Sequence, residues 1–137
     1  MLEEKEIDSP KRQLIHLRES VERSFGFSQA LRIGKYIFVS GTTAFDETGQ
    51  IIPTTDSYEQ AKKAIQNIEY SLNQLGSSLK DVVRTYVYVG PGTNWREVGR
   101  AHGEFFKEIT PISTFLWNNF FADPRIVVEI EADAIVT

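Results

Sequence analysis

The chain has 137 residues and a mass of 15.6 kDa, the size of one domain, and its 41% hydrophobic and 25% charged residues are typical of folded globular domains. The absence of cysteine excludes disulfides, thiolate nucleophiles and cysteine zinc sites. A formal net charge of −4 argues against a dedicated nucleic-acid-binding protein, because such a protein needs a basic surface.

The N-terminal part of the chain is dominated by charged residues up to Glu22. We therefore expect residues 1–23 to form a peripheral arm and residues 24–137 to form a single domain. The apolar residues of the arm allow either a short helical turn docked on the domain or a frayed, solvated lead-in. No stretch has the length of a membrane span and the first residues do not resemble a signal peptide, so we expect a cytoplasmic protein without a membrane partner.

A hairpin and a long helix are predicted for the first half of the domain. Two β-rich runs beginning at Leu31 flank Gly34-Lys35, a pair typical of a tight hairpin turn. Asp56 and Glu59 have the spacing of a capping box, and apolar residues follow at three-four intervals until Gly76, a typical C-terminal cap. This pattern predicts a helix with one buried stripe.

The second half is predicted to contain three strands and one helix. Residues 81–89 are rich in β-branched and aromatic residues, and Asn94 is placed to cap a helix that ends at Thr110-Pro111. Strands are expected over 112–117 and 126–136. In the last strand Ile126, Val128, Ile130, Ala132, Ala134 and Val136 share one face, and Glu129, Glu131 and Asp133 share the other.

The order of these elements predicts an α+β sheet with two helices on one face. Large apolar residues nevertheless occur on both sides of several strands, for example Tyr36 beside Ile37 and Tyr88 beside Val89. Two helices cannot cover both faces of the sheet. We therefore expect the second face to be buried in a homo-oligomer.

Few residues suggest metal or nucleophilic chemistry. His16 and His102 are the only histidines, neither has a second histidine at helical spacing, and we expect no metal site. His102 borders an apolar stripe, where a packing role is the simpler interpretation. Serine-hydrolase and phosphate-loop motifs are absent, and Ser40, Thr42 and Thr43 are ordinary hydroxyls at a strand end.

The carboxylates of the last strand allow two interpretations. Alternation places Glu129, Glu131 and Asp133 on one sheet face at intervals of roughly 7 Å. If an oligomer buries that face, one carboxylate can acquire a pKa near neutrality and position or deprotonate a water. Otherwise the three residues form a solvated outer face.

Several segments together resemble the reactive-intermediate deaminase family, also called YjgF or L-PSP. They are Phe27-Ser28-Gln29-Ala30, Val39-Ser40-Gly41, Gln60-Ala61 to Ala64 with Asn67-Ile68, Leu79 to Val83, and Val128 to Ala132. The resemblance extends from about Phe25 to Val136. It implies a chorismate-mutase-like β-α-β-β-α-β fold assembled as a homotrimer, with clefts between subunits.

The resemblance also implies a chemistry. Members of the family hydrolyse small imines and enamines to keto acids and ammonia without a cofactor. An arginine binds the substrate carboxylate, a glutamate places the attacking water, and a tyrosine and strand-end backbone groups complete the pocket. Position by position, the glutamate corresponds to Glu129, the strand-end glycine to Gly41 followed by Thr42, and a polar helix-start position to Asn94.

Three positions depart from the family pattern. Where members read Pro-Ala-Arg-Ser-Cys this chain reads Pro111-Ile112-Ser113-Thr114-Phe115, so Ser113 replaces the arginine and Phe115 the cysteine. Phe27 stands at the tyrosine position. A lost bidentate arginine contact suggests a neutral, differently charged or more apolar substrate. Arg125 is either a relocated cation for the substrate or a solvated turn residue.

Three functions follow from these observations. The first is a trimeric imine or enamine hydrolase with Glu129 as the water-positioning base. The second is a non-catalytic trimer whose cleft binds a small ligand such as a keto acid. The third, ribonuclease activity, comes from an older family label and is opposed by the acidic composition.

Overall fold

The structure, a computed structural model, describes residues 11–137. Its strands are β1 (Arg12–Ile15), β2 (Ala30–Ile33), β3 (Tyr36–Thr42), β4 (Val82–Val89), β5 (Ile112–Leu116) and β6 (Val128–Ile135). Its α-helices are α1 (Glu19–Phe25), α2 (Ser57–Gln74) and α3 (Trp95–Phe106), and a short 3-10 turn, Leu79–Asp81, precedes β4. The predicted α+β class is confirmed.

All six strands form one sheet in the order β1-β2-β3-β6-β4-β5. Only β4 and β5 are parallel, and α3 provides the crossover between them. The predicted hairpin is present, with Ile33 paired to Tyr36 across a two-residue turn in which Gly34 has φ 59°. The last strand lies between β3 and β4, so its side chains have neighbours on both sides.

Helix α2 begins and ends where its capping residues indicate, whereas α3 begins after Asn94 as predicted but ends at Phe106, before the predicted end at Thr110-Pro111. Asp56 accepts a hydrogen bond of 2.9 Å from the Glu59 N–H at the start of α2, and Gly76 follows its end with φ 75°. Asn94 caps α3 through the Glu97 N–H at 3.4 Å. The apolar stripes of both helices cover one sheet face, where Ile65, Ile68, Leu72, Val98, Phe106, Val87, Val89 and Ile130 form much of the core.

The other sheet face remains apolar and open in the protomer. Tyr36, Phe38 and Ile112 are 45%, 47% and 59% exposed, and they border a groove that also contains Arg84 and Asp133. Such a large exposed apolar area on a small domain marks an interaction surface. The covering of this face by other subunits stays a prediction.

The N-terminal segment differs from the expected helical turn or lead-in around Leu14. Residues 12–15 form an edge strand that pairs with β2, and the sheet is thereby extended by one strand. Helix α1 then spans the expected boundary after residue 23. Residues 1–10 of the expected arm lie outside the described residues.

Candidate functional site

Glu129 lies against the backbone of β3. The pairing of β3 with β6 is irregular between Val39 and Thr42, and Gly41 is part of this irregular stretch. A Cβ atom added at Gly41 would lie 2.2 Å from Glu129 Oε1 and 2.9 Å from its Cδ. Only glycine at position 41 therefore permits the observed position of the carboxylate. The structure brings these two predicted site residues together.

An open cleft surrounds this contact. It has a volume of about 370 Å³, and Gly41, Tyr88, Asn119, Phe120, Phe121, Glu129 and Glu131 line it. Phe120 is 89% exposed at the cleft, and Asn119 is held by a 3.0 Å hydrogen bond from its N–H to the Val89 carbonyl. The cleft thus combines two carboxylates with apolar aromatic surface.

Tyr88 and Glu131 form a hydrogen-bonded pair in the cleft. The Tyr88 hydroxyl donates to Glu131 Oε2. This hydrogen bond to a carboxylate, together with burial, raises the pKa of Tyr88 to about 12. Tyr88 is therefore a protonated hydrogen-bond donor at neutral pH and cannot serve as a base.

Burial raises the pKa of Glu129 above its ordinary value. The neighbouring charge of Glu131 acts in the same direction, whereas the charge of Arg18 lowers the pKa. A half-buried carboxylate with a raised pKa is a better proton acceptor than a solvated one. Within residues 11–137, no hydrogen-bond donor contacts the Glu129 carboxylate, so its oxygens are free to bind water.

The strand hydroxyls predicted for the site lie apart from this cleft. Thr42 is fully buried, where its Oγ1 accepts from Gln29 Nε2 at 2.9 Å and donates to the Ser40 carbonyl. Ser113 Oγ is 2.7 Å from Thr85 Oγ1, which is 2.9 Å from His102 Nε2. Both hydroxyls already have protein partners.

His102 has the packing role that its sequence position indicated. Its ring stacks on Phe106 at 4.6 Å between centroids and meets the edge of Phe115 at 5.8 Å. Burial lowers the pKa of His102 to about 4, so the imidazole is neutral at physiological pH. Phe115 consequently packs against the helix layer.

The other predicted site residues occupy three separate places on the protomer. Phe27 lines a second groove beside His16 and Glu22, and Asn94 is at the start of α3. Arg125 is on an exposed turn, where its Nε and Nη2 donate to the Asp123 carboxylate at 3.0 and 2.6 Å. This ion pair lowers the pKa of Asp123 to about 2.

Four residues that line the cleft were not predicted from the sequence: Tyr88, Asn119, Phe120 and Phe121. Strand alternation offered a signal for Tyr88, since it places Tyr86 and Tyr88 on the face that carries the β6 carboxylates. Tyr88 pairs with Glu129 and Tyr86 with Glu131 across the strands, and this pairing could be found only once the strand order was known. Phe120 and Phe121, which follow β5, belong to no sequence motif that predicts a site.

No group of three metal-binding side chains occurs in the described part of the chain. Over the same residues, none of the helices combines the length and apolar character needed to cross a membrane.

Comparisons with known proteins place this chain in a family. A family model described as Endoribonuclease L-PSP matches residues 18–136. An uncharacterized protein of Streptomyces coelicolor is 35% identical over 113 residues, which are 82% of this chain and 84% of the relative. The 3-aminoacrylate deaminase RutC of Acinetobacter baylyi is 24% identical over 82 residues, 60% of this chain and 65% of that protein.

A solved structure shows the same fold. It is Rv2704 of Mycobacterium tuberculosis, described as a member of the YjgF/YER057c/UK114 family, with a TM-score of 0.81 and 36% identity. The match covers 92% of this chain and all of that one. The chain therefore belongs to the L-PSP (YjgF) family.

Proposed function

We propose that this protein is a homotrimeric hydrolase that deaminates a small imine or enamine, with Glu129 as the water-positioning base. The observation that carries the proposal is the placement of the Glu129 carboxylate against Gly41 in an open cleft. Burial raises its pKa, and none of the described residues donates a hydrogen bond to it. The carboxylate is thus placed to accept a proton from a bound water.

The reaction requires few protein groups. Glu129 accepts a proton from water as the water oxygen attacks the carbon of the C=N bond, and it passes this proton to the nitrogen, which gives a carbinolamine. Glu129 then accepts the hydroxyl proton of the carbinolamine and delivers it to the nitrogen as the C–N bond breaks, so that ammonia leaves a carbonyl product. The balance is one imine and one water to one carbonyl compound and one ammonia, and it needs neither metal nor cofactor.

The family supports this chemistry. A relative over 60% of this chain bears the name 3-aminoacrylate deaminase, which describes removal of an amino group from an unsaturated small molecule. The family resemblance assigns the water-placing role to the position of Glu129. Hydrolysis of an enamine follows the same route once the enamine has tautomerised to the imine.

A trimer would complete the site. Gly41 is the one predicted substrate-binding residue among the described residues that line the Glu129 cleft. Phe27, Asn94, Ser113, Phe115 and Arg125 can reach substrate there only if a neighbouring subunit brings its own copies to the cleft. The exposed apolar face around Tyr36, Phe38 and Ile112 is the surface that such subunits would cover.

Glu129→Gln tests the proposal, with Glu108→Gln as a matched control on an exposed glutamate. An amino-acid oxidase generates the imine in situ, and release of keto acid and ammonia is measured above the spontaneous rate. Loss of turnover in Glu129→Gln alone, with normal sedimentation, supports the proposal. Equal turnover in all three proteins, or no rate above background in the wild type, refutes it.

A second candidate is a non-catalytic ligand-binding trimer. The family has a substrate-binding arginine at the position of Ser113, and in this chain Ser113 is instead hydrogen-bonded to Thr85. The loss of the arginine favours ligand binding without catalysis. This function would be supported if a keto acid raised the melting temperature of this protein and the protein showed no hydrolytic activity. The ribonuclease named in the family description is opposed by the net charge of −4, and absence of RNA cleavage and binding would exclude it.

A further inference from the structure

We infer that the Glu129 cleft selects a substrate with an aromatic or large apolar side chain, and that Phe120 is the specificity-determining residue that binds this side chain. The inference rests on the proposed function for the place of the reacting group, and it names the substrate class of the same cleft. The preference it predicts is one of binding, so it can be measured separately from turnover.

The polar and the aromatic side chains of the cleft come from different parts of the fold. Tyr88, Glu129 and Glu131 belong to the sheet strands β4 and β6, whereas Phe120 and Phe121 belong to the segment that follows β5. Small-molecule sites of roughly 300–1,000 Å³ combine apolar lining with a few polar groups that orient the ligand. The cleft, with its volume of about 370 Å³, has both kinds of lining. A substrate held at Glu129 therefore has aromatic surface available for its side chain.

Phe120 lines the cleft with an almost fully exposed ring. It is 89% exposed, although apolar surface is more stable out of water, so a ligand that covers the ring gains affinity. Phe120 does not border the groove of Tyr36, Phe38 and Ile112 that we assign to neighbouring subunits. Its place in the Glu129 cleft favours the substrate as the group that covers it.

The segment that carries Phe120 is fixed on its N-terminal side. Trp117 packs on Trp95 with 5.5 Å between the ring centroids. The Asn119 N–H donates to the Val89 carbonyl at 3.0 Å, and Asn119 Nδ2 donates to the last carbonyl of β5 at 2.7 Å. Phe120 therefore follows directly after a residue that is hydrogen-bonded through both its backbone and its side chain.

The segment is also fixed on its C-terminal side. Phe121 Cε2 lies 3.5 Å from the position that a Cβ atom would take at Gly90, an ordinary van der Waals distance. The Gly90 N–H donates in turn to the Val127 carbonyl at 2.9 Å, just after the end of β4. The aromatic lining is thus in place before a ligand arrives, and a preorganised surface loses little conformational freedom on binding.

The experiment compares two keto acids that differ only in a phenyl group, 2-oxo-4-phenylbutyrate and 2-oxobutyrate, by NMR titration of the full-length protein. Phe120→Ala removes the aromatic ring, and Phe120→Tyr keeps it. Phe25→Ala is the matched control, since Phe25 is a 77% exposed phenylalanine at the end of α1 that does not line the cleft. Melting curves and sedimentation verify the fold and the assembly of each variant.

We expect the wild type to bind 2-oxo-4-phenylbutyrate about tenfold more tightly than 2-oxobutyrate, because the phenyl group stacks on Phe120 and leaves water. Phe120→Ala should reduce this preference to about twofold or less, whereas Phe120→Tyr and Phe25→Ala should keep it. The affinity for 2-oxobutyrate should be the same in all four proteins.

Four outcomes would overturn the inference: no binding of either keto acid, equal binding of both by the wild type, an undiminished preference in Phe120→Ala, or an equal loss of preference in Phe25→Ala. Altered sedimentation of Phe120→Ala together with an undiminished preference would show that the ring contacts a neighbouring subunit instead.

The outcome is separable from that of the proposed function. A Phe120-dependent preference in a protein that hydrolyses no imine would support the binding inference and refute the hydrolase. Glu129-dependent turnover without a preference for the phenyl ligand would do the reverse.

Discussion

A methyl group at position 41 should separate the stability of this protein from its activity. In Gly41→Ala the new Cβ would lie 2.2 Å from Glu129 Oε1, whereas ordinary contacts begin near 3.4 Å. The carboxylate must therefore move by roughly 1 Å or more, and a misplacement of about 1 Å can reduce a rate about 100-fold. We expect a loss of that size in imine hydrolysis.

The same substitution should cost little stability. The atoms that collide belong to the end of a flexible side chain, and a shifted rotamer costs about 0.5–1.5 kcal/mol. The φ of Gly41 is not in the left-handed region, so alanine can adopt this backbone conformation. The reduced flexibility of the unfolded chain then stabilises the folded state by about 0.4–1 kcal/mol. The melting temperature should therefore change by no more than about 4 °C.

Gly99→Ala is the matched control. A Cβ at Gly99, within α3, meets no atom within 4 Å, so this variant should retain activity and gain about 0.5–1 kcal/mol from helix propensity. Steady-state hydrolysis rates and thermal melts of both variants complete the test. Full activity in Gly41→Ala, alongside an inactive Glu129→Gln, would show that the position of Glu129 against Gly41 is irrelevant to the chemistry.

Three further predictions concern buried polar groups. Burial raises the pKa of Glu129 in the folded state. The protonated Glu129 carboxyl therefore contributes to stability at pH values below its pKa in the unfolded chain, and this contribution is lost as the pH rises through its pKa in the folded state. Glu129→Gln should accordingly melt above the wild type at pH 7, and the difference should close toward pH 4; a constant difference contradicts the burial argument. Thr85→Val removes the hydroxyl partner of His102 and should cost about 1–3 kcal/mol in urea unfolding, whereas Thr85→Ser keeps that partner and should cost less. Glu22→Gln replaces a charged acceptor of two backbone N–H groups and should cost about 1.5–3 kcal/mol; a melt equal to that of the wild type would show that this carboxylate does not hold α1.

The sequence was sufficient where the determinants of structure are local. Asp56, Asn94 and Gly76 act on backbone groups within a few residues, so their spacing identified the ends of α2 and the start of α3. The alternation in β6 likewise reflects burial on one face. These elements were therefore predicted with small errors at their boundaries.

The N-terminal strand could not be recognised in the same way. Arg12, Gln13 and Leu14 are all exposed, so β1 lacks the alternation that identifies a half-buried strand. It is an edge strand whose place depends on backbone pairing with β2, and backbone hydrogen bonds leave no pattern in side chains. The position of Arg18 depends in turn on how α1 and Glu22 follow this strand.

The order of the strands gives the three β6 carboxylates different surroundings. Tyr88 donates to Glu131, and the charge of Arg84 lowers the pKa of Asp133 against burial. Glu131 thus has a hydrogen-bond partner on β4, whereas Asp133, like Glu129, accepts no hydrogen bond within residues 11–137 and has only a charged neighbour. Glu129 instead lies against the Gly41 backbone, which offers space but no hydrogen bond. Of the three carboxylates, Glu129 is the one that lines the cleft without a hydrogen-bond donor in residues 11–137, so its oxygens are the ones placed to serve a ligand or a water.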